Sequence, residues 1–485
     1  MNRLHTRAAA YFAAIFAGYM AVLMLIPASV DLYYGNPDWK VFVISAILVG
    51  GLSSSVALAT HGERPPISAR FGFLLVNILW VTTAFAGAVP FLEASVALDA
   101  TDAVFEAVSG LTTTGSTVLT GLDNMPPGIL LWRSFLQWVG GIGVIAFGLF
   151  ALPFLRVGGV SQLKIESSDI DDLPFSRYRS YIIALVSIYV GLTAVCVVAY
   201  VAGGMTPFNA INNAMATLST GGFSTSDKSF GLYTGNPAIL WTAVFFMFIA
   251  ALPFSILILL VTRRRLDTLL DPQIRVYAAY TVVFVLLVAL YLRIADGVSF
   301  GLALTLSAFN IVSVITTTGF ASGDYTEWGP FAVACFFVAT FLGGCSGSTS
   351  GGIKAYRFYV LYQMLTGSLR GLIYPHSVNQ VRYGDRQFDT EMQRAVALFV
   401  AAFGAILCAL TLLLAATGLD ILTALTGVIT ALTNVGPGLG TVIGPAGNFV
   451  TLTDFAKWVL IAAMLLGRLE ILAVLVLLSP AFWTR

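Results

Sequence analysis

The residues in this chain best suited to chemistry are uncharged oxygen donors, and they recur in one order. Leu111-Thr112-Thr113-Thr114-Gly115-Ser116 returns as Leu218-Ser219-Thr220-Gly221-Gly222-Phe223, Ile315-Thr316-Thr317-Thr318-Gly319-Phe320 and Leu432-Thr433-Asn434-Val435-Gly436-Pro437. Each copy reads apolar, Ser/Thr, Thr/Asn, any residue, Gly, with the glycines 107, 97 and 117 residues apart. Glycine permits backbone angles that turn carbonyls toward one axis. Thr and Asn beside it can hold the loop or add an oxygen. A ring of such carbonyls replaces the water around a small cation without a charge strong enough to trap it. One Thr-Thr-Gly would mean nothing, but four copies at intervals near 100 residues imply four equivalent units.

The elements that must position these loops lie in a membrane. Of 485 residues 58% are hydrophobic and 10% charged, and the mean hydropathy is +0.88, which excludes an ordinary soluble protein. The net charge of +1 gives no reason to expect nucleic acid or an acidic substrate. Cys196, Cys335, Cys345 and Cys408 lack CxxC spacing, so neither zinc nor a disulfide is supported, and His5, His61 and His376 are too scattered for a metal site or a triad.

Two hydrophobic spans come first, 8–30 and 41–60, without the repeated phrase. The first is too long for a secretory signal core and reads as a spanning helix. Four pairs follow: 71–92 with 134–155, 181–201 with 237–261, 276–292 with 329–353, and 395–419 with 455–483. The expectation is an all-α polytopic membrane protein of ten spans, a hairpin at 1–65 and four helix–loop–helix repeats at 66–158, 159–265, 266–373 and 374–485, pseudo-symmetric about one central pore. Between the members of each pair, segments near 101–111, 206–218, 299–315 and 420–432 are too short to span a bilayer and too apolar for surface loops. They read as re-entrant, since non-helical backbone at membrane depth is tolerated only where protein covers it or it lines a watery cavity. Helix-start signals at Thr101 or Asp102, Thr206-Pro207 and Asp420 open three of them. With a cytoplasmic amino terminus, all 25 Lys and Arg except Lys40, Arg133, Lys228, Arg293, Lys457 and Arg468 fall on inner segments. That bias follows the positive-inside rule and places all four loops on the outer side.

Three further features bear on function. Asp102, Glu106, Asp227, Asp324, Glu327 and Asp420 lie near the outer loops, where each is expected to serve as a cap or solvated residue, with a modest collective steering of cations at low salt. The stretch Gly343-Gly344-Cys345-Ser346-Gly347-Ser348-Thr349-Ser350-Gly351-Gly352 interrupts its apolar run and cannot continue a helix. Arg468 sits within the last run and is costly there unless paired or facing water. Two positions from Glu470, it does not share a helix face with it.

The phrases, the plan and the hairpin together resemble the TrkH/TrkG/KtrB superfamily of potassium transport proteins, and within it the TrkH branch, over essentially the whole chain. The resemblance implies four non-identical repeats around one potassium pathway in a bacterial cytoplasmic membrane. The filter would be made mainly of backbone carbonyls of Thr113, Thr114, Gly115, Thr220, Gly221, Gly222, Thr317, Thr318, Gly319, Asn434, Val435 and Gly436. Filter glycines influence potassium over sodium in that family, and Ser in the first loop is linked to sodium preference in plant relatives. The fourth loop departs most, with Asn434-Val435 for Thr-Thr and Pro437 after the glycine. Residues 343–352 take the place of an intramembrane gating loop, and Arg468 that of an Arg beside the pore that hinders passage or tethers the loop. A homodimer and a cytosolic, ring-forming, nucleotide-binding subunit of the TrkA type are implied as partners, since this chain has no Rossmann GxGxxG of its own. The transported ion is K+, with no organic cofactor. The same fold accommodates sodium as the main ion, or flux coupled to sodium or protons. A polytopic membrane enzyme would need a nucleophile, a metal cluster or paired carboxylates, and the spans hold almost no ionisable residue except Arg468 and Glu470.

Overall fold

The computed structural model describes residues 3–62, 68–150, 175–376, 380–384 and 386–484. The proposed boundaries at 65/66 and 158/159, and Arg64, Arg156, Lys164 and Arg485 of the charge pattern, lie outside them. Among the described residues the regular structure is helical apart from a two-residue antiparallel pairing of Arg382–Tyr383 with Arg386–Gln387 and an isolated bridge between Leu342 and Ile353. Helices α1 (Arg3–Leu23) and α2 (Leu25–Tyr34) run on as one span and return through α3 (Trp39–Thr60). The turn between them begins at Gly35, whose φ of 72° a side chain would strain.

Four long helices then each precede a short one: α4 (Ala69–Glu93) and α5 (Ala100–Leu111), α7 (Phe175–Ala202) and α8 (Pro207–Leu218), α11 (Pro272–Ala295) and α12 (Phe300–Ile315), α15 (Thr390–Ala415) and α16 (Ile421–Thr433). After the first short helix comes α6 (Pro127–Phe150). Thr206 and Asp420 cap their short helices through their side chains as expected, but α5 is capped by Asp99, which accepts from the Asp102 amide. The short helices are encased in protein: every residue of α5 from Asp102 to Leu111 is buried. The long helices instead expose Leu48, Leu52, Val198, Leu286 and Leu412, the pattern of surface that faces lipid.

Three of the ten expected spans are not single helices. Among the described residues seven helices are long and apolar enough to cross a membrane, nine when two bent pairs are each counted as one span. The run 237–261 breaks into α9 (Pro237–Ala250) and α10 (Phe254–Arg263), bent by 99°. Pro253 has no N–H with which to continue the ladder there. The last run breaks into α17 (Asp454–Arg468) and α18 (Ile471–Leu478), bent by 112°, with Glu470 at φ 60° in the gap. Arg468 therefore ends a helix and does not sit within a continuous one. In 329–353 only α13 (Pro330–Ala339) is helical, and the glycine-rich stretch after it leads to α14 (Ala355–Ile373).

Candidate functional site

Each short helix stops at its phrase, and the next residue but one after Leu111, Leu218 and Ile315 takes a left-handed conformation: Thr113 at φ 53°, Thr220 at 52° and Thr317 at 59°. For a threonine this costs about 1–2 kcal/mol, so the surroundings must hold it there. In the fourth loop Asn434 takes the same place at φ 56°. Asn tolerates that region well, so the departure seen in the sequence keeps the geometry. Two residues on, Gly115, Gly222, Gly319 and Gly436 have φ of 86°, 81°, 83° and 102°.

The four loops close on one another. A Cβ built on Gly115 would lie 2.3 Å from the Gly221 carbonyl oxygen, one on Gly222 2.0 Å from that of Thr318, one on Gly319 2.0 Å from that of Val435, and one on Gly436 2.5 Å from that of Thr114. Each loop's glycine thus abuts the carbonyl preceding the next loop's glycine, and the fourth returns to the first. A side chain at any of the four would meet backbone that cannot move independently. On one side of the ring is a cavity of about 310 Å³ lined by Gly115, Gly222, Gly319, Pro437 and Asn448 among others.

The loops are held by different residues at matching positions. Ser109 and Ser313 donate to the carbonyls of Ser116 and Phe320, at 2.6 and 2.7 Å. The hydroxyls of Thr112 and Thr114 pair at 2.7 Å, and those of Thr316 and Thr318 at 2.8 Å. Asn434 donates to Thr114 Oγ1 and to the Met464 carbonyl, both at 3.0 Å, and Ser116 to the Gly436 carbonyl at 3.0 Å. Glu106 and Asn310 each accept from the backbone amide twelve residues on, Val118 and Ser322.

Glu106 is fully buried and bonded by Arg133 at 2.7 Å. Arg133 also donates to the Ser224 carbonyl and lies 4.1 Å from the Phe223 ring centroid, joining the first loop to the second. Asp102 pairs with Lys457, Asp227 accepts from the Gly121 and Leu122 amides, and Asp324 and Asp420 cap Thr326 and Thr423. Arg133 and Lys457 thus offset the charges of Glu106 and Asp102, whereas Asp227, Asp324 and Asp420 are bonded to amides and keep theirs. Sequence reasoning recorded Arg133 and Lys457 only as exceptions to the charge bias and missed Gln137; a polar residue inside an apolar run was the available signal.

The glycine-rich stretch lies against the ring. The Gly351 amide donates to Thr317 Oγ1 at 2.6 Å and the Gly352 amide to the Thr433 carbonyl at 2.8 Å. Arg468 donates to the Thr349 carbonyl at 2.9 Å. The stretch is tied to several segments: Cys345 and Thr349 to the carbonyls of Ala251 and Ala250, Phe254 to the Gly347 carbonyl, Ser346 to Gln273 Oε1, Gly344 to Ser350 Oγ, Ser348 to the Cys345 carbonyl, Gly343 to the Ile353 carbonyl, and Lys354 to the Ser350 carbonyl. Glu470 pairs with Arg357 at 2.6 Å, and Arg357 lies 3.6 Å from the Phe399 ring centroid. Arg468 Nε and Nη2, Thr113 Oγ1 and Asn434 Oδ1 are buried without a protein hydrogen bond. None of the four cysteines is in a disulfide, and among the described residues no group of three or more His, Cys, Asp or Glu could hold a metal.

Comparison with known proteins shows the family and the fold. The TrkH family model, by description a cation transport protein, matches residues 39–485. The Trk system potassium uptake protein TrkI of Halomonas elongata is 43% identical over 468 residues, 96% of this chain and 94% of that protein. The Trk system potassium uptake protein TrkH of Escherichia coli K12 is 34% identical over 485 residues, 99% and 100% of the two chains. The crystal structure of the potassium transporter TrkH from Vibrio parahaemolyticus matches with a TM-score of 0.91 at 34% identity, covering 99% of each chain. The fold is thus that of a polytopic inner-membrane protein, and the chain belongs to the TrkH family of cation transport proteins, a transporter and not an enzyme.

Proposed function

We propose that this chain takes potassium into the cell across the cytoplasmic membrane through the ring of four loops. The closed circuit of glycines and carbonyls carries the reading, because it gathers backbone oxygens from four segments, as a path through their midst requires. Potassium sheds its water at such oxygens at little net cost, and the partially negative carboxyl ends of α5, α8, α12 and α16 favour a cation there. Thr113 Oγ1, a buried acceptor left without a protein donor, suits the same ion. The names of the relatives as potassium uptake proteins point the same way.

In this reading 66–158, 159–265, 266–373 and 374–485 are pseudo-symmetric units around the pathway, and 1–65 is an added hairpin. The amino terminus is cytoplasmic, as the Lys and Arg distribution supports. Residues 343–352, held by Arg468, close the path on the side of the ring away from the vestibule cavity. The chain works as a homodimer whose cytosolic nucleotide-binding subunit, of the TrkA type, draws α14 and the stretch before it away. Reconstitution into proteoliposomes tests the transport reading: potassium uptake should follow the potassium gradient, with sodium a poor substitute. Imposing sodium and pH gradients separately distinguishes simple permeation from coupling, and sodium uptake equal to that of potassium would overturn the choice of ion. Co-purification in mild detergent with the cognate subunit tests the partner.

A further inference from the structure

The position before the filter glycine is Thr114, Gly221, Thr318 and Val435 in the four loops, and Gly221 alone has no side chain with which to anchor itself. Its φ lies outside the left-handed region, so conformation does not require glycine there. Space does: a Cβ on Gly221 would lie 2.4 Å from Gln137 Cδ and 2.5 Å from its Oε1. The fully buried Gln137 amide fills the place a side chain would take. Its Nε2 donates to the Gly221 carbonyl at 2.5 Å, and its Oε1 accepts from the Phe223 amide at 3.1 Å. One side chain therefore brackets Gly222, and the carbonyl it grips is the one Gly115 abuts across the ring.

The helix register leaves Gln137 no alternative. Gly140 and Gly141 share its face of α6. A Cβ on Gly140 would lie 1.8 Å from the Leu111 carbonyl oxygen, and one on Gly141 2.9 Å from Ser219 Cβ, so this face is pressed between the first and second loops.

From this arrangement we infer that Gln137 is a positioning residue for ion discrimination. It supplies to the second loop, from outside, the anchor that the Thr114 and Thr318 hydroxyls supply to the first and third from within. The inference rests on the reading of the ring as the selective site.

The test compares potassium and sodium uptake in proteoliposomes for the parent chain, Gln137→Ala, Gly221→Thr, the double variant and Gly319→Ser, with unfolding temperature in detergent measured for each. Gln137→Ala strips a buried carbonyl and a buried amide of their partners, and potassium over sodium discrimination should fall about tenfold. Gly221→Thr alone drives a side chain into the Gln137 amide and should also lose discrimination. The double variant has the space and a hydroxyl, and should recover most of what either single change lost. If Gln137→Ala does not fold, Gln137→Glu carries the test, since it keeps the size and the acceptor and lacks the donor. Parental discrimination in a folded Gln137→Ala or Gln137→Glu variant, or a double variant no better than the singles, overturns the inference. Gly319→Ser separates the two levels: if it changes discrimination while the Gln137 variants do not, only the role of Gln137 fails. If Gly319→Ser also leaves discrimination unchanged, the reading of the ring fails with it.

Discussion

At the scale of residues, the ring is built from side chains that are missing and from strain that is held. The glycines were legible because their order repeated, and only glycine can stand 2.0–2.5 Å, measured from a built Cβ, from a neighbouring carbonyl oxygen. The left-handed threonines were not legible, because threonine disfavours that conformation and only tertiary bonds keep it there. The anchors Gln137, Arg133 and Glu106 act between loops, which no local pattern records. Removing one member of the buried Glu106–Arg133 pair leaves the other uncompensated, and Glu106→Ala or Arg133→Ala should cost about 3–5 kcal/mol. Replacing both with apolar residues of similar volume should cost much less than either single change. Denaturant unfolding in detergent measures this, and additive losses would mean that the two residues do not act as a pair.

At the scale of elements, the breaks matter more than the spans. Composition and length disclosed the long helices and the short buried ones. The break near Glu470 was hidden because Gly467-Arg468-Leu469-Glu470 contains no proline. It forms where Gly467 presses on the fourth loop, a Cβ there lying 2.0 Å from the Leu432 carbonyl oxygen. The glycine-rich stretch was read correctly as non-helical, but its hydrogen-bond partners were not legible, since they lie on other segments. If it closes the path, Arg468→Ala removes its tether to Thr349, and flux measured without the regulatory subunit should rise about tenfold or more, by the loss of one charge-assisted bond worth about 1.5–3 kcal/mol. Shortening the stretch should act in the same direction, and low flux in both folded variants would remove it from the gate. At the start of α11, Tyr383 donates to Asp271, which caps the helix. Burial holds the Asp271 carboxyl above the usual carboxylate range, against the lowering bonds from Tyr383 and the Gln273 amide. A folded-state pKa raised above the unfolded one gives a contribution that is complete below the unfolded value and lost as pH rises through the folded value. Asp271→Asn should therefore flatten the decline of unfolding temperature with rising pH above about 4; an unchanged decline would exclude Asp271 as its source.

At the scale of the whole molecule, one chain carries four versions of one loop and secures each in its own way: serine and paired threonines in the first and third, a glutamine from a neighbouring helix in the second, an asparagine in the fourth. A pathway on a shared axis needs equal backbone geometry, and the φ values at the four glycines, 81–102°, meet that need while the side chains diverge. The competing uptake of potassium and sodium in proteoliposomes, measured on the parent chain and on folded Gly115→Ser, bears most directly on the ring as the selective path. A serine Cβ at 115 must displace the Gly221 carbonyl, so potassium preference should fall about tenfold or more, the scale of one displaced or unsatisfied backbone group. A folded Gly115→Ser protein with the parent's preference would contradict the assignment of the ring.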